Sequence, residues 1–127
     1  MIKVFVTGAA GFIGSAVCRY LRSQNVAQVT GIDKMTYAAS RESLSLLDND
    51  PGFRLIEADI SDESTMARIL KEEKPDGIFH LAAETHVDRS IDSPYDFVHN
   101  NIVGTFVLLE CIRHYLSHDV SEKKSAF

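Results

Sequence analysis

Cysteine is scarce: only Cys18 and Cys111 occur in 127 residues, each inside a helix-like stretch and far from a second Cys at metal-ligand spacing. That pattern offers no metal site, and both residues read as buried thiols rather than redox groups. No run approaches the ~18 consecutive apolar residues of a membrane span, and the opening MIKVFVTGAAG has neither the longer apolar region nor the cleavage site of a signal peptide. No block of five like charges is present, and thirteen basic against eighteen acidic side chains leave a net charge of −5. This argues against a nucleic-acid arm or a membrane patch. Internal repeats and low-complexity tracts are missing as well. With 45% apolar and 24% charged residues, the chain has enough for one globular core and too little for two. The expectation is a soluble, cytoplasmic protein.

What is there alternates. Lys3 to Thr7 (KVFVT) is a β-rich run ended by glycines, and Phe12 to Arg22 carries Phe12, Ile13, Ala16, Val17, Tyr20 and Leu21 at helical spacing. Gln28 to Asp33 (QVTGID) and Phe53 to Ala58 (FRLIEA) read as further strands. The nineteen residues between them, 34–52, are long for a loop, so they hold a helix around Arg41 to Leu47 or form part of a binding site. A helix is predicted from Ser61 and Asp62 to about Glu73, with Ser61 as its cap, Met66, Ile69 and Leu70 inward, and Pro75 marking its end. Gly77 to Ala82 (GIFHLA) is apolar enough for a strand buried on both faces. Ser93-Pro94-Tyr95-Asp96 starts a long helix to about Leu116, with Val98, Ile102, Phe106, Leu109 and Leu116 inward. Strands alternating with helices imply right-handed βαβ crossovers, hence an α/β, doubly wound parallel sheet. SHDVSEKK (117–124) reads as a surface loop and Ser125-Ala126-Phe127 as the beginning of a further strand, so the sheet is expected to be truncated after about four strands.

Directly after the first strand comes Gly8-Ala9-Ala10-Gly11-Phe12-Ile13-Gly14, a G-x-x-G-x-x-G pattern. A strand, a glycine turn and a helix N-terminus together present backbone N–H groups and a positive dipole end to a pyrophosphate. Gly8 permits the tight turn, Gly11 lets a cofactor come close, and Gly14 lets helix pack on strand. Asp33 ends the second strand nineteen residues beyond Gly14, where a carboxylate accepts hydrogen bonds from ribose hydroxyls and repels a 2′-phosphate. That favours NAD over NADP, although the adjacent Lys34 is a cation working in the opposite direction. Asp59-Ile60 ends the third strand, where this architecture places the adenine; by spacing alone Asp59 serves equally as a turn or helix-capping carboxylate.

The glycine pattern, Asp33-Lys34-Met35-Thr36-Tyr37-Ala38, Asp59-Ile60, the segment LAAETHVDRSI (81–91) and Asn101-Ile102-Val103-Gly104-Thr105 together closely resemble the dTDP-glucose 4,6-dehydratase family of the extended short-chain dehydrogenase/reductase superfamily. The resemblance covers essentially this whole chain but only the N-terminal part of enzymes more than twice as long. It implies a Rossmann fold in which Phe12 and Ile13 with the flanking glycines line the pyrophosphate, Asp33, Lys34, Met35 and Thr36 hold the ribose, and Asp59 and Ile60 meet the adenine. Leu81, Ala82, Ala83, Glu84 and Thr85 are expected beneath the nicotinamide half, with Thr85 also touching the sugar substrate. His86, Asp88 and Arg89 form a polar cluster past that edge, with His86 read first as a loop-stabilising residue. Asn101 matches an Asn that helps hold the family's active site together, and mid-helix Gly104 suggests close packing. Asn100 stands where the family usually has a Thr that contacts the cofactor, and Ala39-Ser40 where Gly-Asn is common.

By the resemblance the chemistry is an internal redox cycle: hydride leaves the sugar C4, water is eliminated across C5 and C6, and hydride returns at C6. Its first step needs a Tyr made basic by a Lys four positions on, since an unassisted phenol has a pKa of about 10. Four residues after Tyr20, Tyr37, Tyr95 and Tyr115 stand Gln24, Arg41, His99 and Asp119. The family's Thr-Asp-Glu acid–base segment is absent too, and Asp62-Glu63 reads as helix-dipole charge. No catalytic residue is therefore assigned. The expectation is a cofactor-binding, catalytically inactive N-terminal portion of a dehydratase for dTDP-glucose. The alternatives are another nucleotide-sugar dehydratase or epimerase, and a non-catalytic NAD-binding module. An uncovered fourth strand and last helix predict self-association, with part of a homodimer contact on the helix Pro94 to Leu116.

Overall fold

The computed structural model describes residues 1–35, 41–82 and 94–118. Four strands form one parallel sheet: β1 (Ile2–Thr7), β2 (Ala27–Asp33), β3 (Phe53–Glu57) and β4 (Gly77–His80), in the order β3-β2-β1-β4. Helix α1 (Phe12–Ser23) joins β1 to β2, and α2 (Glu63–Glu73) joins β3 to β4. A 3₁₀ helix at Arg41–Leu47 occupies the long connection before β3. The last helical run comprises α3 (Pro94–Val98), a π turn at His99–Val103 and α4 (Gly104–His118). The α/β doubly wound reading holds. The Thr85, Thr36 and His86 regions, and the strand expected at Ser125 to Phe127, lie outside the described residues.

Alternation along β1 builds two cores at once. Val4 and Val6 join Cys18, Ala27, Val29, Leu44 and Leu47 on the α1 face. Phe5 points the other way, to Ile32, Met66, Ile69, Leu70, Leu108 and Tyr115. Each large side chain so buried contributes about 1.5–3 kcal/mol. Both cysteines are buried, and burial pushes the Cys18 thiol up to about 12 and raises that of Cys111. Inert thiols are what such surroundings produce.

Several local expectations are corrected. The cap of α2 is Asp62, whose carboxylate accepts from Thr65 N–H at 3.3 Å, while Ser61 donates its hydroxyl to Asp59 at 2.8 Å. The shorter Asp59–Ser61 turn consumes the serine first. Strand β4 is not buried on both faces: among the described residues it is an edge of the sheet, and Phe79 is 44% exposed. On α1 the buried stripe is Gly14, Ser15 and Cys18, with Phe12, Ile13 and Tyr20 exposed.

The last helix does not turn Val98, Ile102, Phe106 and Leu109 inward; all four are exposed, Phe106 at 63%. Its buried stripe is Gly104, Leu108, Cys111 and Tyr115, with Leu116 packed beside it as expected. Gly104 explains the choice. A Cβ there would stand 3.1 Å from the Ile60 side chain, so the helix seats its glycine side against the Asp59–Ile60 loop ahead of α2, and the bulkier stripe is left outside.

Candidate functional site

The chain reverses its direction of strand addition between β1 and β4, and the carboxyl ends of these two neighbours define the crevice in which doubly wound sheets bind ligands. Gly8 lies there with φ +70°, and a Cβ on it would come within 2.7 Å of the Leu81 carbonyl and 2.8 Å of Ala82. Only glycine combines that φ with that approach. Gly14 is as constrained, since a Cβ on it would overlap the Gly8 carbonyl. Gly11 caps α1 without a side-chain hydrogen bond, and no acidic residue occupies the first turn. The helix therefore opens its first N–H groups and its positive end to the crevice. Phe12, 92% exposed, and Ile13 stand at that mouth.

Asp33 reaches this turn from the end of β2. Its Oδ2 accepts from Ala10 N–H at 3.1 Å and its Oδ1 from Met35 N–H at 2.7 Å, in a site only 9% exposed. Each oxygen keeps a lone pair for a further donor. Met35 holds φ 58° and packs on the α1-side core, and Lys34 follows Asp33 at the same edge. Asp59 accepts from Ser61 N–H at 2.9 Å, which makes it a turn carboxylate, and the Ile60 side chain is buried beneath α4. His99 Nε2 lies 3.2 Å from Ser61 Oγ, tying the π turn to this loop. The backbone of Asn100 lies within the same turn.

Leu81 and Ala82 continue β4 into the crevice and hydrogen-bond to Thr7. Glycine turn, Asp33–Met35 edge, Asp59–Ile60 loop and Leu81–Ala82 thus line the carboxyl side of one sheet. Ala83, Glu84, Thr85 and Thr36 fall outside the described residues, as does the side chain of Asn100. Two contributors were missed by the motif reading. Ser43 donates its hydroxyl to the Ala10 carbonyl at 3.1 Å, and Arg19 donates to the Ser43 carbonyl at 2.6 Å, so the 3₁₀ helix braces the glycine turn. No periodicity marks these contacts, although the unusual length of the connection did. Among the described residues no group of three or more His, Cys, Asp or Glu side chains could hold a metal, and no helix is long and apolar enough to cross a membrane.

The sequence model of the family described as GDP-mannose 4,6 dehydratase matches residues 5–126. The chain belongs to that family. Among GDP-mannose 4,6-dehydratase family relatives, dTDP-glucose 4,6-dehydratase 1 of Escherichia coli K12 is 49% identical over 126 residues, which are 99% of this chain and 35% of the relative. The Neisseria meningitidis dTDP-glucose 4,6-dehydratase is 46% identical over 127 residues, all of this chain and 36% of the relative. The chain thus spans about a third of the length of these curated relatives. The Streptomyces venezuelae dTDP-glucose 4,6-dehydratase, solved with NAD bound, superposes with TM-score 0.81 at 42% identity, covering 87% of this chain and 35% of that one. A Thermotoga maritima UDP-glucose 4-epimerase gives TM-score 0.79 at 35% identity over 90% of this chain and 35% of its own. The fold is that of the Rossmann-type dehydratases and epimerases.

Proposed function

We propose that this chain is the N-terminal, NAD-binding part of a nucleotide-sugar 4,6-dehydratase, a lyase that converts dTDP-glucose to dTDP-4-keto-6-deoxyglucose. The carrying observation is the glycine turn closed against Leu81–Ala82 at the point where strand order reverses, with Asp33 bonded to its Ala10 amide. The residues present fit the dinucleotide. The uncapped first turn of α1 at Gly11, Phe12 and Ile13 holds the pyrophosphate, Gly8 and Gly14 keep the backbone close, and Asp33 with Lys34 and Met35 receives the ribose. The Asp59–Ile60 loop takes the adenine, and Asn100, by the family relationship, contacts the cofactor. Leu81 and Ala82 underlie the nicotinamide. Bound NAD supplies a reversible hydride acceptor for the sugar C4.

The family relationship supports extending this floor through Ala83, Glu84, Thr36 and Thr85, with Thr85 also meeting the sugar. No residue of this chain is assigned the proton transfers, because no Tyr-x-x-x-Lys or Thr-Asp-Glu occurs in it. The substrate assignment follows the dTDP-glucose relatives, at 49% identity, over the UDP-glucose epimerase, at 35%. The exposed stripe Val98, Ile102, Phe106 and Leu109 supports a homodimer, and a cytoplasmic location accords with the cofactor.

The test is a calorimetric titration of the 127-residue chain with NAD and with NADP, alongside an assay for 4-keto sugar from dTDP-glucose. NAD binding in preference to NADP, with no product formed, is expected. Tighter NADP binding overturns the role of Asp33, and product formation overturns the reading of the chain as a cofactor-binding part.

A further inference from the structure

One side-chain chain at the crevice has no place in the cofactor contacts above. Thr105, on α4, donates its hydroxyl proton to the Asn101 carbonyl at 2.9 Å. Its oxygen must therefore accept from His80 Nε2, 2.8 Å away. A neutral imidazole carrying its proton on Nε2 presents a bare Nδ1, and Thr7 Oγ1 lies 2.7 Å from it, donating. With its proton so committed, the Thr7 oxygen accepts from both Leu81 N–H at 3.0 Å and Ala82 N–H at 3.1 Å. The Leu81 N–H is shared with the Thr7 carbonyl at 3.2 Å, whereas the Ala82 N–H goes to the hydroxyl oxygen; each hydroxyl and imidazole proton is used once, and only one direction satisfies all the groups.

We propose that Thr7, His80 and Thr105 are positioning residues of the dinucleotide site, forming a one-way hydrogen-bonded chain that sets where the Leu81–Ala82 backbone lies against the glycine turn. The proposal rests on the reading of that crevice as the cofactor site. The chain joins three elements, the carboxyl ends of β1 and β4 and the first turns of α4, and Thr7 within it is fully buried. Apolar residues of the same shape would give nearly the same stability. What a directional chain adds is orientation: it fixes two peptide N–H groups beside Gly8, where Ala82 already stands 2.8 Å from the place a Cβ would take. A shift of a few tenths of an ångström there closes or opens the floor on which the nicotinamide half is placed.

The experiment compares the 127-residue chain with Thr105→Val and Thr105→Ser, reading the His80 imidazole nitrogens and the Gly8, Leu81 and Ala82 amides by ¹⁵N NMR, and NAD affinity by calorimetry. In the wild-type chain His80 is expected as the Nε2–H tautomer. Thr105→Val should move the Leu81, Ala82 and Gly8 amide signals, which belong to other elements, and weaken NAD about tenfold, the size of one lost hydrogen bond. Thr105→Ser should restore both. An Nδ1–H tautomer, or Leu81 and Ala82 signals unmoved in Thr105→Val, overturns the proposal. NAD affinity unchanged in Thr105→Val overturns it while leaving the cofactor reading intact. Absence of NAD binding to the wild-type chain overturns the cofactor reading instead, and the role in that site with it. Because Thr7→Val risks the fold through its buried position, Thr7→Ser serves as the second variant and should retain the tautomer and the affinity.

Discussion

Asp33 and Ala10 are joined by a 3.1 Å hydrogen bond from the alanine amide to the aspartate carboxylate, a link between the end of the second strand and the middle of the glycine turn. The Ala10 carbonyl is held from the other side by Ser43. One residue is thus clamped at both its backbone polar groups. The same carboxylate that is proposed to receive the ribose also shapes the turn proposed to receive the pyrophosphate.

Replacing Asp33 should therefore affect both. In Asp33→Asn the amide oxygen can satisfy only one of the two N–H donors, and the negative charge that opposes a 2′-phosphate is gone. NAD affinity is expected to fall about tenfold and the NAD-to-NADP preference to shrink, both read by calorimetry. An unchanged preference would remove Asp33 from cofactor choice.

Gly8 and Gly11 should separate fold from ligand. Gly8→Ala forces an alanine to φ +70° with backbone atoms 2.7–2.8 Å from its Cβ, and a loss of about 2 kcal/mol or more in unfolding free energy is expected. At Gly11 the nearest obstacle to a Cβ is the Gly8 carbonyl at 3.3 Å, so Gly11→Ala should keep most of the stability while weakening NAD. Denaturant unfolding paired with titration checks both, and equal destabilisation of the two variants would sink the distinction.

Burial lowers the pKa of His80 below its ordinary value of about 6.5. Between these two values the unfolded chain binds a proton that the folded chain refuses, so stability rises with pH there. The His80 contribution is complete above about 6.5 and is lost as pH falls through the lower, folded value. Melting temperature followed from pH 7.5 to 5 should drop more steeply for the wild-type chain than for His80→Gln. Parallel curves would show that His80 carries none of the dependence.

The outward stripe of Val98, Ile102, Phe106 and Leu109, together with the sheet edge that β4 forms among the described residues, should bring two copies together. Sedimentation equilibrium is expected to show a dimer or larger species at roughly tens of micromolar, and Phe106→Glu to shift it towards monomer. A monodisperse wild-type monomer would defeat the expectation.

The doubly wound class, all four strands and the inner face of α2 were legible because each rests on a short apolar run or a local periodicity bounded by turn residues. Met66, Ile69 and Leu70 are inward as read, and Gly104 is pressed on a neighbour. The facing of the last helix was not legible. It carries two apolar stripes, and the choice between them depends on Ile60, forty-four residues away in sequence, seating against Gly104. Ser61 lost its cap role to a hydrogen bond with Asp59 that helix signals do not record. The glycine turn and Asp33 were legible as a motif, but the support from Ser43 and Arg19 runs through side-chain-to-carbonyl bonds that no spacing rule encodes.

Strand β1 is paired on both sides and covered on both faces, and the glycine turn begins at its last residue, with Gly8 N–H bonded to the Ile32 carbonyl at 2.8 Å. A turn rooted in the innermost strand has little configurational freedom left to surrender. Much of the ordering cost that a loop would meet on receiving a dinucleotide is thereby met when the sheet assembles, so binding energy goes into grip rather than into shaping the grip.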